Sequence, residues 1–336
     1  MLRVFLTHNA EDLEAYYGRA LTELEPMTEV VLNRRGRDPT TAELVEAAAT
    51  CDIIISHRAT PGEPALFDGT PRLLAFLRCA VDVSNVDIEA ASRAGVLVAR
   101  ADKSFVPSTA ELALGLMLDL ARNVAASTLD YRSGEEPAQR PGHQLRDATA
   151  GIIGFGAIGS YLAGLLVALG MRVLVHDPLV EINASGVEQT ALDDLLTRSD
   201  FVLPLAPALP ETTNLIGAAE LATMKRGAYL VNVSRGDLLD EDAVADALDE
   251  GRLAGLAMDV GMAPDQRPSP ALAARPGVVA TPHLGGLTPE NADAQARSSV
   301  EQVRAILHGD MPPRAVNPDA ATRLRSFWRN RREQGP

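Results

Sequence analysis

A short apolar strand, Gly151-Ile152-Ile153, runs into Gly154-Phe155-Gly156-Ala157-Ile158-Gly159, and a second strand, Val173-Leu174-Val175-His176, ends in Asp177. Glycines spaced in this way between a strand and a helix form the turn with which a parallel sheet holds a dinucleotide at its carboxyl edge. Gly154 permits the tight turn, Gly156 lets the backbone approach a pyrophosphate, and Gly159 lets the helix pack close on its strand. Ala157, Ile158 and Gly159 offer first-turn N–H groups and the positive end of the helix dipole to phosphate. Asp177 follows Gly159 by eighteen positions and can accept hydrogen bonds from a ribose. A carboxylate there repels a 2′-phosphate, and Pro178-Leu179-Val180 supply no arginine, so the expected cofactor is NAD rather than NADP. The alternative is a purely structural glycine turn; the strand, the helix and the acid together argue against it.

Strand and helix patterns alternate nearly throughout the 336 residues, which predicts α/β architecture: two doubly wound parallel-sheet domains. Short strands are expected at 2–7, 29–32, 52–56, 73–77 and 96–99, then at 150–154, 172–176, 201–203, 228–232, 256–260 and 278–280. Helices are expected at 41–49 and 87–94, with Asp87 as cap, and at 241–250, between Asp240 and Gly251. Pro107 opens a long apolar helix at 108–126, and the Gly/Pro-containing stretch 132–146 reads as a loop. A last helix covers 289–308. The expected division is a discontinuous substrate domain, 1–103 plus 287–336, with a cofactor domain at 104–286 inserted in it.

Bulk properties exclude several classes. The net charge of −14 argues against nucleic acid and anionic membrane as partners. No apolar run reaches the roughly 18 residues of a membrane span. Cys51 and Cys79 cannot make a disulfide framework, and no close Cys/His cluster suggests a metal; a reducing, cytoplasmic location is expected. The arginine-rich tail 323–332, which carries the only tryptophan, Trp328, reads as a solvated or frayed terminal helix, with a subunit contact as the sharper alternative.

Three segments follow strands of the cofactor domain: Val233-Ser234-Arg235-Gly236, Asp259 to Asp265, and Thr281-Pro282-His283-Leu284-Gly285-Gly286. With Pro210-Glu211-Thr212, Met224-Lys225-Arg226-Gly227-Ala228 and Met258-Asp259-Val260, they make nearly the whole chain resemble the D-isomer-specific 2-hydroxyacid dehydrogenases. The resemblance implies a Rossmann-type cofactor domain inserted in a flavodoxin-like substrate domain, and hydride transfer between NAD and C2 of a small 2-hydroxy or 2-oxo acid. Arginine's planar fork suits a carboxylate, so Arg235 fits substrate binding. Imidazole titrates near working pH, so His283 fits the acid/base. The bland alternatives are a surface ion-pair arginine and a core histidine. By resemblance, Leu205, Ala206 and Pro207 line the adenine side, while Val233, Ser234 and Asp259 lie toward the nicotinamide, and Thr212, Arg235, His283 and Gly285 are further cofactor-binding candidates; the alternative for Asp259 is a turn carboxylate. A homodimer through the cofactor domains is implied, with 108–126 and 132–146 at the contact.

Two departures stand out. The family's glutamate partner of the histidine falls at Pro264, and Asp265 comes next, so Asp265 is the candidate replacement. A formate-type enzyme would use a glutamine, for which Gln266 is available. The family's glycine-rich carboxylate-binding turn is Cys79-Ala80-Val81-Asp82 here; Ala80 and Val81 are the candidate backbone donors, with Asp82 facing solvent or capping the turn. His57 and Arg58 are candidates to read a polar or acidic substrate tail. The alternatives to a dehydrogenase of 2-hydroxy acids are a phosphite or formate dehydrogenase, or a non-catalytic NAD sensor of the same fold.

Overall fold

The computed structural model describes residues 1–333, which form two compact units, residues 1–104 with 289–333, and residues 105–288. The first unit holds β1 (Arg3–Leu6), β2 (Glu29–Leu32), β3 (Ile53–Ser56), β4 (Ala75–Arg78) and β5 (Leu97–Arg100), all parallel, in the order β2-β1-β3-β4-β5. This is the flavodoxin-like order, with its switch point between β1 and β3. Ile53, Ile54 and Ile55 are fully buried, because helices cover both faces of a parallel sheet and both side-chain directions must be apolar. The helix Pro289–His308 packs Ala296, Val300, Val303 and Ile306 into one of the two cores.

The tail is not frayed. Thr322–Glu333 is a helix whose Leu324 is buried, and the Trp328 indole donates to the carbonyl of Ile306 at 2.8 Å. Its apolar residues recur at helical spacing (324, 327, 328), which outweighs the density of arginine.

The second unit holds β6 (Thr149–Ile153), β7 (Arg172–His176), β8 (Val187–Gln189), β9 (Phe201–Pro204), β10 (Ala228–Asn232), β11 (Leu253–Met258) and β12 (Val278–Ala280). They form one parallel sheet in the order β12-β11-β10-β9-β6-β7-β8. That is the dinucleotide-binding order, and the strand order reverses between β6 and β9, where such sheets take ligands. Ala157–Ala168 follows β6 and buries Leu162, Ala163 and Leu166 against Ala113, Leu116, Met117 and Leu120 of the helix Val106–Arg122.

The expected single helix at 108–126 is two helices. Asn123 turns left-handed (φ 55°), Val124–Ser133 starts afresh, and the axis bends by 65°. The loop expected from 132 therefore starts only after Ser133. Asparagine tolerates that backbone region, and the apolar pattern of Val124-Ala125-Ala126 concealed the break. No single helix among the described residues is long and apolar enough to cross a membrane.

Candidate active site

The glycine turn has the geometry its spacing predicts. Gly154 has φ +104°, and a Cβ there would lie 2.9 Å from the backbone of Leu205 and Ala206. A Cβ on Gly159 would lie 2.2 Å from the Gly154 carbonyl oxygen, so helix and turn touch only through glycine. At Gly156 a Cβ would meet nothing within 4 Å. Gly156 is the N-cap of Ala157–Ala168 and supplies no side-chain cap, so the helix's first N–H groups open onto empty space. A glycine cradle at an uncapped twelve-residue helix fits a pyrophosphate.

Asp177 ends β7 beside this cradle. Its Oδ2 accepts from Phe155 N–H at 2.7 Å and its Oδ1 from Leu179 N–H at 2.9 Å. The carboxylate thus ties the glycine turn to the second strand, and each oxygen keeps lone-pair capacity for a ribose hydroxyl. No ion pair neutralises it among the described residues.

The loops after β9 and β10 are laced together. Ser234 Oγ donates to the Ala206 carbonyl at 3.0 Å, joining the segment Leu205-Ala206-Pro207 to Val233-Ser234. Thr212 Oγ1 donates to the Pro207 carbonyl at 2.6 Å and closes that loop. Buried Asn232 accepts from Ser234 N–H at 3.1 Å and donates to the Arg235 carbonyl at 2.8 Å, which leaves the Arg235 side chain projecting. Arg235 is exposed; its guanidinium donates to the Ser234 carbonyl at 2.7 Å and makes no ion pair among the described residues. Its charge is therefore available to an anion.

Asp259 is the hub of the His283 turn. It is fully buried, and its Oδ1 accepts from Thr281 Oγ1 at 2.6 Å and from Leu284 N–H at 2.7 Å, while Oδ2 accepts from Gly285 N–H at 2.8 Å. Its carbonyl accepts from His283 N–H at 2.9 Å. Of its two sequence readings, the turn carboxylate is what this geometry displays. The turn holds His283 in a left-handed conformation, φ 61°.

Asp265 reaches His283 by an unexpected atom. The sequence pointed to its carboxylate; the structure brings its main-chain carbonyl to 2.9 Å from His283 Nδ1. Asp265 (φ 60°) and Gln266 (φ 57°) are both left-handed, and the loop is pinned by Gly261 N–H to the Gln266 carbonyl at 3.0 Å. This consecutive pair rotates the Asp265 carbonyl toward the ring. The imidazole atom facing that acceptor is a donor, so in the neutral ring Nδ1 carries the hydrogen and Nε2 keeps the lone pair.

In the first unit, sequence reasoning missed Arg78. It is buried at the end of β4, and its guanidinium donates to the carbonyls of Asp82 (2.6 Å), Thr60 (3.2 Å), His57 (3.4 Å) and Arg58. Burial lowers its pKa from the ordinary arginine value. Arg78 fixes both the 57–60 loop and the half-buried Ala80-Val81 turn; the signal was an arginine closing the otherwise apolar strand Ala75-Phe76-Leu77. Asp82 caps its turn, accepting from Ser84 N–H at 3.0 Å and Ser84 Oγ at 2.7 Å.

His57 sits between two acids, 3.9 Å from Asp12 and 3.6 Å from Asp38. Burial lowers its pKa despite both carboxylates. A neutral ring flanked by two negative charges is a poor reader of an acidic tail; Arg58, exposed and in no ion pair among the described residues, keeps that candidacy.

The strand order and the cradle define a dinucleotide-binding α/β protein of the doubly wound class. Residues 114–285 match the family model described as D-isomer specific 2-hydroxyacid dehydrogenase, NAD binding domain. The chain is 31% identical over 323 residues to a glyoxylate reductase of Korarchaeum cryptofilum, covering 94% of this chain and 96% of that one. It is 34% identical over 283 residues to a D-3-phosphoglycerate dehydrogenase of Methanocaldococcus jannaschii, covering 83% of this chain and 54% of that protein, so it spans about half the length of such relatives. Among solved structures, the TT0316 protein of Thermus thermophilus superposes with TM-score 0.81 at 32% identity, over 94% of this chain and all of that one. The chain belongs to the D-isomer-specific 2-hydroxyacid dehydrogenase family, and the cofactor this domain indicates is NAD.

Proposed function

We propose that the protein is an NAD-dependent dehydrogenase of small 2-hydroxy acids, interconverting them with 2-oxo acids. The observation that carries this reading is the His283 turn: Nδ1 is fixed on a carbonyl and Nε2 is left to exchange a proton, on the carboxyl edge of the sheet that bears the phosphate cradle. Exposed Arg235, also on that edge, pairs with the substrate carboxylate. In the reductive direction His283 Nε2–H gives its proton to the C2 oxygen as charge develops there; in the oxidative direction unprotonated Nε2 removes the hydroxyl proton. NAD, when bound, supplies or takes the hydride. Leu205, Ala206 and Pro207 serve the adenine side and Val233 and Ser234 the nicotinamide side, with Thr212 and Gly285 also at the cofactor, and Ala80 and Val81 serve the substrate carboxylate.

The relatives named for glyoxylate and for phosphoglycerate make unbranched two- and three-carbon acids the first substrates to try. The test is NADH oxidation with glyoxylate, hydroxypyruvate and pyruvate, repeated with Arg235→Ala and His283→Gln. Turnover lost in both variants, with NADH binding retained, supports the assignment. NADH binding without turnover on any oxo acid overturns it in favour of a sensor. Exposed Leu118, Val124, Leu129 and Tyr131 along the two helices 106–122 and 124–133 support a homodimer. Sedimentation velocity of Leu129→Glu/Tyr131→Glu, with the monomer expected, checks it.

A further inference from the structure

Asp12, Asp38 and His57 are far apart in sequence, yet each places one ligand-type atom within 4.8 Å of the others. They come from different loops at the carboxyl edge of the five-stranded sheet. Asp12 lies in the short helix after β1, Asp38 in the loop after β2, and His57 directly after β3. We propose that these three side chains bind a divalent transition-metal ion of the zinc class.

The two carboxylates have open coordination capacity, and His57 Nδ1 accepts only a long bond, from Ala59 N–H at 3.3 Å. Asp12 commits Oδ2 to the Asn9 N–H at 3.2 Å, which fixes the carboxylate and leaves Oδ1 toward His57. Among the described residues, no lysine or arginine makes an ion pair with either carboxylate. Two uncompensated negative charges converge on a neutral imidazole, and a dication neutralises them. Ligands about 2 Å from a tetrahedral ion stand roughly 3.3 Å apart, so small rotations close the site. Ligation through Nδ1 displaces the 3.3 Å bond from Ala59 N–H, and Nε2 keeps its hydrogen beside a carboxylate, 3.9 Å from Asp12 Oδ1. Asp38 is 43% exposed and gives the ion its entry.

A second observation is independent of the acids. His8, which follows β1, is 2% exposed, and its Nδ1 has no hydrogen-bond partner. Its ring stands edge-on to His57 with centroids 5.4 Å apart. An orphaned buried polar atom packed against the His57 ring marks this corner of the sheet as short of a polar partner. Two carboxylate oxygens and an imidazole nitrogen favour zinc, cobalt or nickel over magnesium or calcium, which prefer oxygen alone.

The test uses full-length protein stripped with chelator and titrated with zinc chloride by calorimetry, with magnesium chloride as the parallel probe. Expected are one saturable zinc equivalent, no comparable magnesium binding, and a rise in Tm of about 5 °C at a hundredfold excess over Kd. Asp38→Asn, exposed and remote from the core, and His57→Gln should each weaken zinc at least tenfold while leaving the apo fold intact by circular dichroism. Equal zinc affinity in Asp38→Asn and His57→Gln, or magnesium binding as tight as zinc, overturns the proposal. So does the absence of a saturable equivalent in the wild type.

Discussion

Asp259→Asn is the most incisive perturbation of the candidate site, because the substitution keeps shape and removes one acceptor. In the native turn three donors converge on the carboxylate: Thr281 Oγ1, Leu284 N–H and Gly285 N–H. An asparagine can keep its carbonyl oxygen at the Oδ1 position, facing Thr281 and Leu284. Its NH2 then faces the Gly285 N–H at 2.8 Å, donor against donor, inside a fully buried site. One hydrogen bond to a charged acceptor is lost, worth about 1.5–3 kcal/mol, and a buried N–H is left unsatisfied at about 1–3 kcal/mol. The sum, roughly 3 kcal/mol after partial relaxation, falls on the five-residue segment that carries His283. A turn weakened by that much shifts the imidazole, and a displacement of about 1 Å at a reacting group costs about a hundredfold in rate. The expected result is kcat down about a hundredfold, with NADH affinity, read by fluorescence quenching, changed far less. Thr281→Val, which removes one neutral donor, should lie between, at about 1 kcal/mol. A kcat for Asp259→Asn within threefold of wild type would refute the claim that the carboxylate sets the position of His283.

Four further outcomes follow from the same geometry. Gly156→Ala should fold normally yet lose most NADH affinity, since its Cβ enters the open cradle, whereas Gly159→Ala should fail to give a stable cofactor unit; thermal melts with and without NADH separate the two. Asp177→Ser should narrow the ratio of kcat/KM with NADH to that with NADPH at least tenfold, because the charge opposing a 2′-phosphate is gone. Burial pushes the Cys79 thiol up to about 12, so its thiolate fraction at pH 8 is on the order of 10⁻⁴; neither it nor buried Cys51 should react with Ellman's reagent until the protein is unfolded. Asp265→Asn should retain kcat within a few-fold, while Asp265→Val, β-branched at φ 60°, should lose it.

Period and punctuation made much of the architecture legible. Arg172–His176, Ala228–Asn232 and the helix Pro289–His308 sit where their apolar patterns place them, because each buries a continuous face and ends at a turn former. The caps Asp87 and Asp240 accept from Ala90 and Ala243 N–H, as short acidic side chains before helices do. The break at Asn123 escaped because left-handed geometry leaves no trace in hydrophobicity. The Asp12–Asp38–His57 convergence escaped for a different reason: it depends on three loops meeting at one sheet edge, and metal-ligand spacing rules apply only to donors close in sequence.

Asp265 marks the boundary of what residue type can tell. A carboxylate is a property of the side chain, so an aspartate near the family's glutamate position invites the inference that the acid itself has moved. A main-chain carbonyl belongs to every residue, and only φ and ψ decide where it is aimed. Here two consecutive left-handed residues, Asp265 and Gln266, do the aiming. Aspartate suits the first of them because its short polar side chain tolerates that region better than most, so selection for conformation and selection for charge leave the same letter in the sequence. The chemical consequence differs. A neutral acceptor on Nδ1 orients the ring and fixes the tautomer, as a carboxylate would, but adds no negative charge beside an incoming substrate carboxylate. In the proposed role of Arg235, the His283 partner then adds no charge to compete with the substrate carboxylate for its guanidinium. Restoring an acid by Pro264→Glu tests that argument: if the neutral contact matters to substrate binding, KM for the oxo acid should rise while NADH affinity stays constant.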